Sequence, residues 1–251
     1  MRHLTGNQNV FFAIPDVIAS STAPPELLAI HPLSNVTEYG TLYIEAGIRA
    51  RIDGEFVTAD YDTMRIEWLA KLYIHNTPHC IAGYLGWQAG KKYVHEAMTI
   101  PEIADTVQGV FSEMIQMVTA VYAVDDIKLL MDYAIKEKTR FSNPMLFDPI
   151  ERVAREPLRK LALSERLIGA AMLCEQKGID APSLYRGIDA AIHYGYQGDP
   201  DYRIMRALAD IPLEEFVKNI LHIEDDEPIY GKLIDQLKNS PFKRFRREKG
   251  E

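Results

Sequence analysis

Lys71, Asn76 and His79 sit within the run KLYIHNTPHCIAGYLG and are the residues of this chain best able to do acid–base work on a small polar molecule. At helical angles the three fall within about 140° of one another, so they can line one wall. A lysine beside Leu69, Leu72, Tyr73 and Ile74 is partly desolvated, and desolvation lowers its pKa. To serve as a base near neutral pH it has to come down from about 10.4 toward about 7 to 8. Asn76 donates an amide hydrogen bond, and His79 donates or accepts one, at a substrate oxygen. Taken by itself the same pattern also describes a lysine snorkelling from a core helix.

A second group lies between Thr139 and Leu167, in TRFSNPMLFDPIERVAREPLRKLALSERL. It holds six basic residues, Arg140, Arg152, Arg155, Arg159, Lys160 and Arg166, against four acidic ones, in a chain whose formal charge is −8. Five of the six are arginines, whose planar forks grip phosphate or carboxylate in pairs. Arg152 and Arg155 share a helical face, while Pro157 passes Arg159 and Lys160 to the next element. The interleaved Glu151, Glu156 and Glu165 allow the plainer reading of a salt-bridged surface.

Other chemistries lack their signatures. His75 and His79 are four apart, as zinc ligands on a helix can be, but the glutamate of H-E-x-x-H is absent and Pro78 interrupts the turn. Cys80 and Cys174 read as structural thiols in a reducing, cytoplasmic setting. Gly83, Gly86 and Gly90 have neither dinucleotide nor P-loop spacing. The acidic balance, 36 Asp and Glu against 28 Lys and Arg, argues against nucleic-acid and anionic-membrane partners. No apolar run reaches the roughly 18 residues of a membrane span. Glu224-Asp225-Asp226-Glu227 reads as a solvated loop.

The elements that must hold these residues are helices. Start signals followed by apolar spacings of three and four predict helices over 60–75, from Pro78 with Thr77 as cap, from Pro101, and over 125–138, 149–156, 165–177, 182–194, 200–209, 212–222 and 228–238. The Pro101 helix carries the core stripe Ile103, Val107, Val110, Met114, Val118 and Val121. Before residue 59 the reading changes to two or three short strands near Phe11 and Leu42, too few to bury both faces alone. The 251 residues thus divide into a β-containing segment 1–58, a mainly α, multi-helix domain 59–242 and a basic tail 243–251 with five basic and two acidic residues.

With those residues in view, K-x-x-x-x-N-x-x-H together with RFSNPMLFDPIERVAREPLRKLALSERLIGAAM and AAIHYGYQGDPD resembles the mannitol dehydrogenase family of polyol-specific long-chain dehydrogenases, in particular its mannitol 1-phosphate branch. The likeness covers roughly residues 59–222. It implies an all-helical substrate domain of the 6-phosphogluconate dehydrogenase C-terminal type, preceded by a remnant of a Rossmann domain. It implies Lys71 as general base, Asn76 and His79 as the oxygen-binding pair, and Arg140, Asn143, Arg152, Arg155, Arg159 and Lys160 as contacts for a polyol or sugar phosphate. NAD is then supplied by a domain not present in this chain, and no metal is used; the expected protein partner is a separate Rossmann-domain chain, or the chain associates with itself. The chain alone is expected to be inactive; the alternative is a non-catalytic sugar-phosphate binding module. Pro78 stands where the family commonly has glycine, and His31 and Ser20 where it has an acidic residue and an arginine.

Overall fold

The computed structural model describes residues 13–15, 26, 29, 42–45 and 57–242. The Ser20 and His31 positions and the tail 243–251 lie outside them. Three short strands, β1 (Ala13–Pro15), β2 (Leu42–Glu45) and β3 (Val57–Ala59), form one sheet in that order. β1 pairs antiparallel with β2, Ala13 opposite Ile44, and β3 pairs parallel with it, Ile44 opposite Thr58. The sheet has its own small core, where Ala59 and Met64 pack with Tyr43.

Asp60 ends β3 and caps the first helix, its carboxylate accepting from Thr63 N at 2.8 Å, which satisfies a backbone donor that the helix start leaves open. From there the chain is helical: α1 (Tyr61–Leu69), a π-helical segment (Ala70–Asn76), α2 (Thr77–Gln88), α3 (Val94–Ala97), α4 (Pro101–Tyr122) and α5 (Ile127–Phe141). A 3-10 turn (Pro144–Leu146) leads to α6 (Ile150–Ala154), α7 (Pro157–Lys160), α8 (Ile168–Gln176), α9 (Pro182–Ile192), α10 (Tyr202–Leu208), α11 (Leu213–Asn219) and α12 (Pro228–Lys238). Prolines open α4, α7, α9 and α12, where the missing N–H costs nothing.

One continuous core runs through α1, α2, α4, α5, α8, α9 and α12. Of the predicted α4 stripe, Ile103, Val107, Val110, Met114 and Val118 are buried. α2 and α9 cross closely because Gly187 has no side chain: a Cβ there would lie 2.4 Å from Ile81. Among the described residues no helix is long and apolar enough to cross a membrane.

The predicted break at Pro78 does not occur. Residues 61–88 form one unbroken helical rod, and Thr77 lies inside it with helical φ and ψ rather than capping a new helix. Proline within a helix removes a backbone donor and crowds the preceding turn. The chain answers by widening that turn into the π segment, so the helix continues through the proline.

Candidate functional site

The π segment decides which side chains face together. Its i→i+5 register places residues five apart above one another, so Lys71 and Asn76 share a face, and His79 follows one α-helical turn later. All three are half-buried. Thr77 Oγ1 holds the widened turn by donating to Leu72 O at 3.3 Å, and ties it to the next layer through Arg166 O at 3.1 Å.

Two carboxylates close on this face from the end of α5 and the turn after it. Glu137 is fully buried; its Oε2 lies 2.5 Å from His75 Nδ1, and Arg140 Nη1 donates to both its oxygens at 3.0 and 3.2 Å. Burial pushes the His75 imidazole well below 6.5, against the pull of Glu137. Burial also acts to raise Glu137, but His75, Arg140 and Lys71 outweigh it and hold the carboxyl below its usual range. His75 is therefore neutral at pH 7 and donates Nδ1–H to an ionised Glu137. Lys71 faces this group closely enough for its charge to act on both partners.

The second carboxylate, Asp148, accepts from His79 Nε2 at 2.9 Å through Oδ2. Its Oδ1 takes Arg152 Nε at 2.9 Å and Nη2 at 2.5 Å. Burial works to raise this carboxyl too, and the hydrogen bond from His79 together with Arg152 keeps it low. The His79 ring lies flat on Phe141, centroids 4.6 Å apart and planes 10° from parallel, with His75 5.1 Å away.

Lys71, Asn76 and His79 lie along one helical rod, with Lys71 and His79 both acting on His75; Arg140 reaches His75 through Glu137, and Arg152 reaches His79 through Asp148. Arg155 and Arg159 stay on the surface, pairing with Glu156 at 3.5 and 3.3 Å, and Arg159 also with Glu165 at 3.6 Å. Asn143 caps the 3-10 turn, accepting from Met145 N at 2.9 Å. Lys160 points inward, 4% exposed, donating to Val153 O at 3.0 Å and to Arg155 O, with its ammonium over the Tyr84 ring. Burial brings its pKa down to about 8. The corner it supports is unusual: Glu156 has φ 56°, and Asp199 and Asp201 accept from Glu156 N and Leu158 N at 3.0 Å each. The GDPD motif thus fastens the basic segment to the body.

Glu137 and Asp148 escaped the sequence reading. The signal was present, since Glu137 stands three residues before Arg140 and Asp148 four before Arg152, the spacings of helical ion pairs. Both thiols are free and buried. Among the described residues no group of three or more His, Cys, Asp or Glu side chains is arranged to hold a metal ion.

The helical body thus carries a lysine, an asparagine and a histidine on one π-widened rod, with two buried carboxylates beside it. The model of the mannitol dehydrogenase C-terminal domain matches residues 67–229, and the chain belongs to that family. It is 37% identical over 161 residues to mannitol-1-phosphate 5-dehydrogenase of Shouchella clausii strain KSM-K16, covering 63% of this chain and 42% of the relative. The enzyme of the same name from Emericella nidulans is 31% identical over 170 residues, 67% of this chain and 44% of that one. The chain thus spans under half the length of these curated relatives. Among solved structures, the ternary complex of Pseudomonas fluorescens mannitol 2-dehydrogenase with NAD and D-mannitol has a TM-score of 0.68 at 17% identity, over 91% of this chain and 50% of that one. A substrate-free D-sorbitol dehydrogenase gives 0.66 at 16%, over 92% and 52%. These two likenesses are of fold.

Proposed function

We propose that residues 59–242 are the substrate-binding and catalytic-base domain of an NAD-dependent polyol phosphate dehydrogenase that interconverts mannitol 1-phosphate and fructose 6-phosphate. In this reading residues 1–58 are the edge of a nucleotide fold, 243–251 is a basic tail, and the protein works in the cytoplasm. What carries the proposal is the placement of Lys71, Asn76 and His79 on one continuous helical rod, in a family whose mannitol-1-phosphate 5-dehydrogenase relatives bear that activity in their names.

The described residues do not fit a dinucleotide. The one described strand that runs straight into a helix, β3 into α1, does so through Asp60, with Asp62 in the first turn and no glycine. Two carboxylates at that helix start repel a pyrophosphate rather than cradle it. The nicotinamide therefore belongs to polypeptide outside these residues.

What the described side chains handle is the proton and the grip. Lys71 Nζ takes the hydroxyl proton of the polyol, while Asn76 and His79 hold its oxygens. Arg152, Arg155 and Arg159 keep exposed guanidinium edges for the phosphate. The buried Arg140 and Lys160, with Asn143 in the turn between α5 and α6, act by holding the surrounding backbone and Glu137 in place. The absence of a nucleotide cradle among the described residues also favours a second reading, a sugar-phosphate binding module without turnover.

Calorimetry with mannitol 1-phosphate tests the grip common to both readings. Arg155→Ala combined with Arg159→Ala is expected to weaken binding at least tenfold, at about 1.4 kcal/mol per factor of ten; equal affinity of the variant and the parent would remove the phosphate assignment. Turnover when a dinucleotide-binding polypeptide is added separates the enzyme from the module.

A further inference from the structure

The position of Asp148 bears on which nitrogen of His79 meets a ligand. We propose that Asp148 is a positioning residue that locks His79 with its proton on Nε2 and presents Nδ1 to the substrate as a hydrogen-bond acceptor, so that the group facing His79 must be a hydroxyl. The proposal rests on the reading of His79 as a substrate contact.

Five observations carry it. Asp148 Oδ2 lies 2.9 Å from His79 Nε2, with the two side chains 10% and 12% exposed. An ionised carboxylate only accepts, so the nitrogen it meets carries the proton. The carboxylate cannot swing away, because Arg152 takes the other oxygen through two donors, and Asp148 O accepts from Val94 N at 3.0 Å. Phe147 just before it has φ 45°, a left-handed turn that aims Asp148 back at the helix. The imidazole cannot rotate either, since the Phe141 ring lies parallel against it. Among the described residues Nδ1 takes no hydrogen bond.

A neutral imidazole protonated on Nε2 has its lone pair on Nδ1. That lone pair accepts an O–H and repels a carbonyl oxygen. The hydroxyl that gives its proton to Lys71 has no second proton to offer His79. The geometry therefore divides the labour: Asn76, a donor, holds the oxygen being oxidised, and His79 reads the hydroxyl on a neighbouring carbon. A ligand without that hydroxyl leaves a half-buried acceptor unpaired, and such a loss discriminates strongly.

Long-range proton–nitrogen NMR on the full chain with nitrogen-15 histidine, near pH 7.5, reads the tautomer directly, the His79 signal being found by its loss in His79→Gln. The expected spectrum shows one tautomer, protonated Nε2 and bare Nδ1. Asp148→Asn, whose one oxygen stays with the two Arg152 donors so that its NH2 faces Nε2, is expected to move the proton to Nδ1, and Asp148→Ala loses the single tautomer. If Asp148→Ala fails to fold, the parent and Asp148→Asn still decide. A Nδ1-protonated ring or an imidazolium in the parent overturns the proposal, as does an unchanged tautomer in a folded Asp148→Ala. Added mannitol 1-phosphate is expected to shift Nδ1 and leave Nε2 in place. The locked tautomer with no ligand shift would remove the polyol reading of the face and leave the positioning by Asp148 standing.

Discussion

His75, Glu137 and Arg140 form a buried set in which each member needs the others. Removing the carboxylate in Glu137→Ala takes two hydrogen bonds from the Arg140 guanidinium, itself 2% exposed, at a cost of about 3 to 5 kcal/mol; urea unfolding should show the free energy of unfolding fall by that amount. The same set fixes the acid response. In the fold His75 is held below 6.5 and Glu137 below 4.5, so the unfolded chain binds more protons than the folded one, and stability falls as pH drops. The decline begins near pH 6.5, where the unfolded chain starts to take a proton at His75, and steepens below about 4.5, where it does so at Glu137. Glu137→Gln should flatten the steeper part; an unchanged profile would contradict the ionised assignment. Lys71, Asn76 and His79 were legible because their types and spacing are informative in one dimension. Glu137 and Asp148 were not, since a carboxylate three or four residues before an arginine reads identically on a solvated face and in a core.

At the scale of the element, the π segment links sequence to site. Pro78 reads locally as a helix start, and that rule holds at Pro101, Pro157, Pro182 and Pro228, where the residue before the proline lies outside the right-handed helical region. At Pro78 the burial of Ile74, Thr77 and Ile81 on both sides keeps one rod intact, and the surplus strain goes into a wider turn. Pro78→Ala restores the missing donor and lets the turn relax toward α register, rotating His79 relative to Lys71. Thermal stability is expected to hold or rise, while affinity for mannitol 1-phosphate falls severalfold; unchanged affinity would mean that the register does not set the face. The other helices agree with the sequence reading to within a few residues, most closely α12, whose bounds of 228 and 238 coincide with it. The glycine at 187 gives no sign of its purpose in sequence, because the side chain it makes room for, Ile81, is more than a hundred residues away.

For the whole molecule, the mainly α architecture was legible from the density of cap and stripe signals, and β1 and β2 from their β-branched and aromatic content, whereas β3 was not placed. What the sequence could not show is how the basic segment is used. Its six charges divide between a buried lysine, a buried arginine, Arg166 on Glu165, and three half-exposed arginines that each hold a carboxylate, so a phosphate meets only the guanidinium edges that Arg152, Arg155 and Arg159 leave open. The central claim is that Lys71 is the base of a polyol phosphate oxidoreduction. It is tested most directly by following NADH consumption with fructose 6-phosphate when the chain is combined with a dinucleotide-binding polypeptide, for the parent and for Lys71→Met. The account predicts turnover in the parent and a loss of about 10²- to 10⁴-fold in the variant; equal rates for the two would contradict it.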